Sequence, residues 1–294
     1  MADQDVRDTI DLTGTPIDAE VADRSIGEVL KQMRGLDDAQ IAAVLKLQRE
    51  RGLRFGDAAV ALKFISQEDV LWALSRQFHF PYATARDTSG LDRELVAAID
   101  PFSDESEVFR DVRSQLLMGV LAPEQPRRAL AVLSTEVGDG KTFFAANLAA
   151  AFSQLGGRTL LVDADMRTPR LHTMFGISRP EGLSSILAGR AQTDVIHQVP
   201  GLAGLYLLPV GTLPPNPLEL VQRPAFGALI AELCSKFDHV LVDTPAASHA
   251  ADARVVAAKC GAALLLGRRN RSRLPAMETL LQQLHKSQIG RAHV

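Results

Sequence analysis

The sequence predicts an α/β fold, a mostly parallel, doubly wound sheet, preceded by a small all-helical domain. Three observations carry this expectation. Residues 128–134 (RALAVLS) are a short apolar run, followed by a glycine-containing turn (TEVGDGKT, 135–142) and an alanine-rich amphipathic stretch to Leu155, the order strand, loop, helix. Two further apolar runs, Thr159 to Val162 and Val240 to Val242, each lead into an aspartate, at strand ends where doubly wound sheets hold their ligands. Upstream of all three, residues 24–80 contain an internal repeat with helical spacing.

At 294 residues the chain has room for two domains, and 46% hydrophobic with 23% charged residues is ordinary for a folded globular protein. A net charge of -3 and a pI near 6.2 argue against a generally basic nucleic-acid binder. Cys234 and Cys260 stand in unrelated contexts without metal-ligand spacing and read as small core residues in a reducing compartment. No apolar run approaches the roughly 20 residues that span a bilayer, and the acidic amino terminus lacks a signal-peptide segment. The expectation is a cytoplasmic protein, peripheral to the inner membrane through a partner. Residues 1–23 read as a disordered tail.

The repeat is offset by 29 positions: Gly27, Leu36, Ile41, Leu45 and Gln48 recur as Gly56, Ile65, Val70, Leu74 and Gln77. Asp37 and Gln40 in one copy, Ser66 and Asp69 in the other, have the three-residue offset of a capping box, so a helix opens at each place. Ile41, Val44 and Leu45, then Val70, Ala73 and Leu74, give each helix one buried stripe. The segment resembles the amino-terminal domain of type II secretion and type IV pilus assembly ATPases, some of which bind cyclic di-GMP through paired R-L-G-x-x-L…L-x-x-Q motifs. Arg54, Gly56 and Gln77 occupy the motif positions in the second copy, while Ser25 stands where the first copy needs arginine. The resemblance leaves two readings, a cyclic di-GMP site and a helical docking module, of which the second is preferred. Trp72 and Tyr82 read as packing residues of this domain, and residues 81–104, rich in proline, glycine and acids, as a linker carrying one helix.

In the 135–142 loop, glycines let consecutive N–H groups turn inward around phosphate oxygens at a helix amino terminus, where negative charge is favoured. Lys141 adds a positive charge for the β- and γ-phosphates, and the Thr142 hydroxyl can ligate magnesium. The first glycine of the usual G-x-x-x-x-G-K-[ST] pattern is replaced by Thr135. Asp163 and Asp165 follow the second apolar run in a D-x-D-x-R element closed by Arg167, and Asp243 follows the third in D-T-P. The fold is therefore expected to be of the P-loop NTPase type.

The D-x-D-x-R element, the GDGKT loop and the D-T-P element together resemble the bacterial tyrosine-kinase family, related to cell-division and plasmid-partition ATPases. So do Glu107-x-x-Arg110-x-x-Arg113, the 167–176 run RTPRLHTMFG with His172, Gly182-Leu183-Ser184, and the LPVG and PPNPLEL stretches from Leu208 to Leu220. The resemblance covers most of residues 105–275, within a kinase domain expected over 105–288, and implies an ATP- and magnesium-dependent tyrosine kinase of the exopolysaccharide chain-length subset. It implies that Gly138, Asp139, Gly140, Lys141, Thr142 and Phe143 hold the nucleotide. It further implies that Thr142, Asp163 and Asp243 serve the metal, and that Lys141, Asp163 and Asp165 are catalytic. Arg167 is either a phosphate-neutralising group or an ion-pair partner of the nearby aspartates. Glu107, Arg110 and Arg113 imply self-association into a ring, and the activating membrane polysaccharide co-polymerase would be a separate chain.

Two departures qualify the resemblance. The sequence has only Tyr82 and Tyr206, without the family's carboxyl-terminal tyrosine cluster, and Tyr206 reads as a core residue of a strand. Beyond Leu284 another apolar strand is expected, yet residues 289–294 (IGRAHV) match one reading frame of a common sequencing-adapter oligonucleotide, so native sequence is expected to end near Gln288. The competing functions are a partition-type ATPase switch, disfavoured because Glu136 stands where those relatives carry an extra lysine, and a catalytically weak nucleotide-binding scaffold.

Overall fold

The computed structural model describes residues 26–77, 80, 82, 88–178, 181–190, 195–286 and 292–293. The expected tail, residues 1–23, lies outside them, as do 289–291 and 294 of the segment expected to be non-native. The chain divides into two compact units, 1–80 and 81–294.

In the first unit, α1 (Ile26–Arg34) and α2 (Asp38–Arg51) are followed 29 residues later by α3 (Phe55–Ala61) and α4 (Gln67–Gln77). Each repeat thus holds two helices. Both capping boxes form: Asp37 and Gln40 exchange side-chain and backbone hydrogen bonds at 2.7 and 3.0 Å, and Ser66 and Asp69 do so at 2.9 and 3.2 Å. Arg34 of the first copy donates through Nε to Asp69 at 2.8 Å, tying one repeat to the cap of the other. Leu30, Leu36, Val44, Ile65, Val70 and Ala73 form the small core. Gly56 sits where a Cβ would meet Val70 Cγ1 at 2.8 Å, so α3 and α4 close only because this position lacks a side chain.

The second unit is built on a seven-stranded sheet. Its strands are β1 (Ala129–Ser134), β2 (Thr159–Asp163), β3 (His197–Gln198), β4 (Leu205–Leu208), β5 (His239–Asp243), β6 (Gly261–Leu266) and β7 (Ala292–His293), in spatial order β3-β4-β2-β5-β1-β6-β7. All pairings are parallel except that of β3 with β4. β7, two residues of the segment expected to be non-native, pairs with β6.

The strands read as continuous apolar runs because both faces are covered. Leu130, Val132, Leu161 and Leu241 point to a layer containing α6 (Asp104–Met118) and α7 (Lys141–Ser153). Leu160, Val162, Val240, Val242 and Leu265 point to the opposite layer, with α11 (Pro224–Lys236), α12 (Asp252–Cys260) and α13 (Leu274–Lys286). The smaller helices α5 (Val96–Ile99), α8 (Leu171–Met174), α9 (Leu183–Leu187) and α10 (Pro217–Gln222) complete the unit. Cys234 and Cys260 are buried free thiols in the second layer.

Part of the segment read as a linker is packed. Leu95, Ala97 and Ala98 are buried, and Asn147 of α7 accepts from Ala97 N at 2.9 Å and donates to Glu94 O at 2.9 Å. Gln154 donates to Ala97 O at 2.7 Å. Apolar side chains in VAAI and two buried amides, Asn147 on α7 and Gln154 just after it, fix this stretch, a pairing across about fifty residues that local composition does not reveal. Tyr82 is corrected from the first domain to the second unit, where its ring meets Phe102 edge-on at 5.4 Å; Trp72 is buried in the first.

Candidate nucleotide and metal site

The site lies at the carboxyl ends of β1, β2 and β5, beside the crossover point where the chain leaves β1 in one direction for β2 and later fills the gap between them with β5. After Ser134 the chain turns through Thr135–Gly140 and enters α7 at Lys141, with Gly140 as the residue before the helix. Gly138 at φ 82° and Gly140 at φ 95° are left-handed, which bends successive N–H groups toward the helix amino terminus. Asp139 shapes the turn from inside: its carboxylate accepts from Glu136 N at 3.0 Å and from the Thr135 hydroxyl at 3.4 Å, standing in for the flexibility lost where glycine gives way to Thr135.

Lys141 is buried, and its ammonium donates to Ser134 Oγ at 3.2 Å. Thr142 Oγ1 donates to Asp243 Oδ2 at 2.7 Å. Phe143 turns its ring into the core, edge-on to Phe109 at 5.9 Å, so toward the loop it presents backbone.

Asp163 and Asp243 are register partners on the neighbouring strands β2 and β5, and both are fully buried. Burial raises the Asp163 carboxyl well above the usual range, and the adjacent Asp243 and Asp165 charges push it further. Burial also carries Asp243 up to about 7, against the hydrogen bond from Thr142 and the positive charge of Lys141, which favour the carboxylate. Asp163 Oδ1 accepts from Asp165 N at 3.2 Å, while Oδ2 is buried without a partner. Two buried acids on adjacent strands, one with an unsatisfied oxygen, form a site whose electrostatics a cation would relieve.

Asp165 is engaged differently. Its Oδ1 accepts from Arg167 N at 3.1 Å and Thr168 N at 2.9 Å, and Oδ2 from the Thr168 hydroxyl at 3.0 Å, an arrangement that folds the loop after β2. The Arg167 guanidinium forms its ion pair with neither Asp163 nor Asp165. Its Nε donates to Asp252 Oδ2 at 2.7 Å, at the first residue of α12.

The chain matches the CobQ/CobB/MinD/ParA nucleotide binding domain over residues 130–282. The tyrosine-protein kinase YwqD of Bacillus subtilis (strain 168) is 33% identical over 168 residues, which cover 57% of this chain and 70% of YwqD. The chain belongs to the bacterial tyrosine-kinase family. The tyrosine-protein kinase wzc of Salmonella typhi is 35% identical over 196 residues, 67% of this chain; the chain spans only 27% of the length of that protein. The solved kinase domain of the Escherichia coli tyrosine kinase ETK has a TM-score of 0.62 and 30% identity, covering 66% of this chain and 75% of that domain.

Other elements on which the sequence resemblance rested have visible structural work. Gly182 and Gly211 meet backbone to backbone: a Cβ on Gly182 would lie 2.1 Å from Pro209 O, and Leu183 N and Ser184 N donate to Pro209 O and Val210 O at 2.8 and 2.9 Å. Glu107, Arg110 and Arg113 lie on α6. Arg110 pairs with Glu107 at 2.6 Å and donates to Pro101 O, and Arg113 donates to Ala151 O near the end of α7. Tyr206 in β4 packs edge-on against Phe237 at 5.4 Å.

Two features at the site escaped sequence reasoning. Asp252, the partner of Arg167, follows no strand and belongs to no motif. The loop after β6, GRRNRSR over 267–273, sets arginines beside the phosphate loop: Arg268 Nη1 donates to Gly138 O at 2.9 Å. Four arginines within six residues after a buried strand were the available signal.

Proposed function

We propose that the chain is an ATP- and magnesium-dependent protein-tyrosine kinase regulating exopolysaccharide polymerisation and export with a separate membrane co-polymerase. The observation that carries this reading is the meeting of Lys141, Thr142, Asp163 and Asp243 at three adjacent strand ends, with Thr142 already bonded to Asp243 and one Asp163 oxygen buried and unpartnered. Glycine-loop amides and Lys141 would hold the phosphates, and Thr142, Asp163 and Asp243 would face magnesium. Magnesium takes one or two protein carboxylates and completes its shell with phosphate oxygens and water. Bound there, the ion would neutralise charge on the transferring phosphoryl group.

In the transfer step a tyrosine hydroxyl oxygen forms a bond to the γ-phosphorus as the bond to the β,γ-bridging oxygen breaks, and ADP leaves. Asp163 is the better acceptor for the phenolic proton, because both oxygens of Asp165 are used within its own loop. Asp165 then contributes by holding the loop in which Asp163 ends. Neither Tyr206 nor Tyr82 is read as the acceptor. Tyr206 is packed on Phe237, and Tyr82 lies by Phe102, beside an Arg113 that reaches the end of α7 remote from the phosphate loop.

The same reading makes the protein cytoplasmic and peripheral to the inner membrane through its partner; among the described residues no helix is long and apolar enough to cross a bilayer. Self-association is read on α6, where Val108 is exposed next to Glu107 and Met118 at the helix end, while Arg113 donates within the chain. The helical unit is read as a docking module. Packing against Val70 accounts for Gly56, Arg54 is exposed as the residue before α3, and the Gln77 side chain lies outside the described residues, so cyclic di-GMP stays the second reading there.

The test is ATP turnover by the full-length chain with and without the cytoplasmic peptide of its co-polymerase, with phosphotyrosine followed by mass spectrometry. Transfer that vanishes in Lys141→Met and Asp163→Asn supports the kinase. Hydrolysis with no phosphotyrosine on any chain favours the ATPase switch or the catalytically weak scaffold.

A further inference from the structure

Strands β1 and β6 are parallel neighbours in continuous register from Ala129 with Gly261 to Ser134 with Leu266, so the loops that leave them emerge side by side. The β6 loop is closed on itself: Arg268 N donates to Ser272 Oγ at 2.7 Å, and Arg271 N and Ser272 N donate to Arg268 O at 3.1 and 2.9 Å. From that turn Arg268 Nη1 donates to Gly138 O at 2.9 Å, and the Arg271 guanidinium lies over the same glycine, where a Cβ would come within 3.3 Å of Nη2.

In a trans peptide the carbonyl of one residue and the N–H of the next point in opposite directions. Fixing the Gly138 carbonyl outward, toward Arg268, therefore fixes the Asp139 N–H inward, toward the space the phosphates would fill. Gly138 is the residue of the loop that most needs such a hold. At φ 82°, with no side chain, it can turn its peptide plane at small cost, and a turned plane would present a carbonyl oxygen to an anion.

Resting on the reading of this loop as the nucleotide site, we propose that Arg268 is a positioning residue which holds the Gly138–Asp139 peptide plane in the orientation that binds the β-phosphate. Arg268 acts through the backbone and does not touch the nucleotide. Since ADP and ATP share the β-phosphate, its removal weakens both alike, whereas an arginine that met the γ-phosphate directly would be felt by ATP alone.

The experiment is a fluorescence titration of the full-length protein with N-methylanthraniloyl-ADP and N-methylanthraniloyl-ATP, each with magnesium, in wild type, Arg268→Met and Arg268→Lys. Arg268→Met keeps the aliphatic stem and removes the donor. The expected result is a loss of about tenfold in affinity for both nucleotides, by the same factor, with an unchanged melting temperature of the nucleotide-free protein and partial recovery in Arg268→Lys. A loss confined to ATP overturns the proposal, as does unchanged affinity for both or a loss matched by a lower melting temperature. Wild-type protein that binds neither nucleotide removes the site reading itself, a result distinct from tight wild-type binding that Arg268→Met leaves intact.

Discussion

Thr142 Oγ1 and Asp243 Oδ2 lie 2.7 Å apart, joining the first turn of α7 to the end of β5 across 101 residues of sequence. Among the described residues the hydroxyl is the one side-chain hydrogen-bond donor to the Asp243 carboxylate, whose Oδ1 accepts from Thr244 N at 3.1 Å. Under the proposed reading it would hold the acid for a cation and offer an oxygen of its own. Thr142→Val, of nearly the same shape, is expected to weaken magnesium–ATP binding by about tenfold or more, while Thr142→Ser stays close to wild type. Calorimetric titration with and without magnesium checks this, and a valine variant that binds like wild type would remove Thr142 from the metal site.

The burial of Asp243 has a consequence for stability. Its carboxyl is raised to about 7, against an unfolded value near 4, so between these two pH values the folded chain holds more protons than the unfolded chain. Stability of the nucleotide-free, magnesium-free protein should therefore fall as pH rises from about 4 to about 7, and Asp163, also raised, adds to the trend. Asp243→Asn should flatten part of this slope and raise the melting temperature at neutral pH by a few degrees (~1 kcal/mol or more) while abolishing magnesium-dependent binding. Thermal melts across pH in chelator test it, and an asparagine variant no more stable than wild type at neutral pH counts against the buried-charge account.

Arg167 and Asp252 form an unequal pair, since the Arg167 side chain is 32% exposed and that of Asp252 only 2%. Removing the arginine strands a buried carboxylate whose second oxygen already lacks a partner. Arg167→Ala should cost about 1–3 kcal/mol, and Asp252→Asn in the same background should recover part of it, giving a measurable coupling in a double-mutant cycle. Equal and additive effects in denaturant unfolding would show that the pair does not hold the loop after β2.

In the helical unit, Gly56→Ala is expected to destabilise by about 1–3 kcal/mol through collision with Val70, and Val70→Ala to relieve much of the clash in the double variant. Hydrogen exchange localises the effect: protection should fall in α1–α4 and stay unchanged in the sheet. A fully tolerated Gly56→Ala would return this glycine to the second reading, as a residue kept for a ligand.

Local order along the chain made much of this protein legible. Apolar runs too continuous for a half-exposed sheet announced strands covered on both faces, and Leu130, Val132, Leu160 and Val242 lie in the two cores as that pattern requires. The capping boxes at Asp37 and Ser66 announced α2 and α4, but α3 opens at Arg54 without a side-chain cap, and neither it nor α1 was predicted. Packing of VAAI onto Asn147 and Gln154, and the place of Tyr82 beside Phe102, were illegible because each depends on a partner far away in sequence.

What the sequence determined by itself was the set of short-range decisions: the strand–loop–helix around Lys141, the aspartates that end β2 and β5, and the repeat with its caps. These follow from backbone preferences and periodicity within a few residues. Only the tertiary structure decided which charges meet. It gave Arg167 to Asp252, committed Asp165 to its own loop, left Asp163 with a buried, unpartnered oxygen beside Asp243, and brought Arg268 to Gly138. Those pairings arise from strand order and parallel register, which place the ends of β1, β2, β5 and β6 together although about 130 residues separate the first from the last.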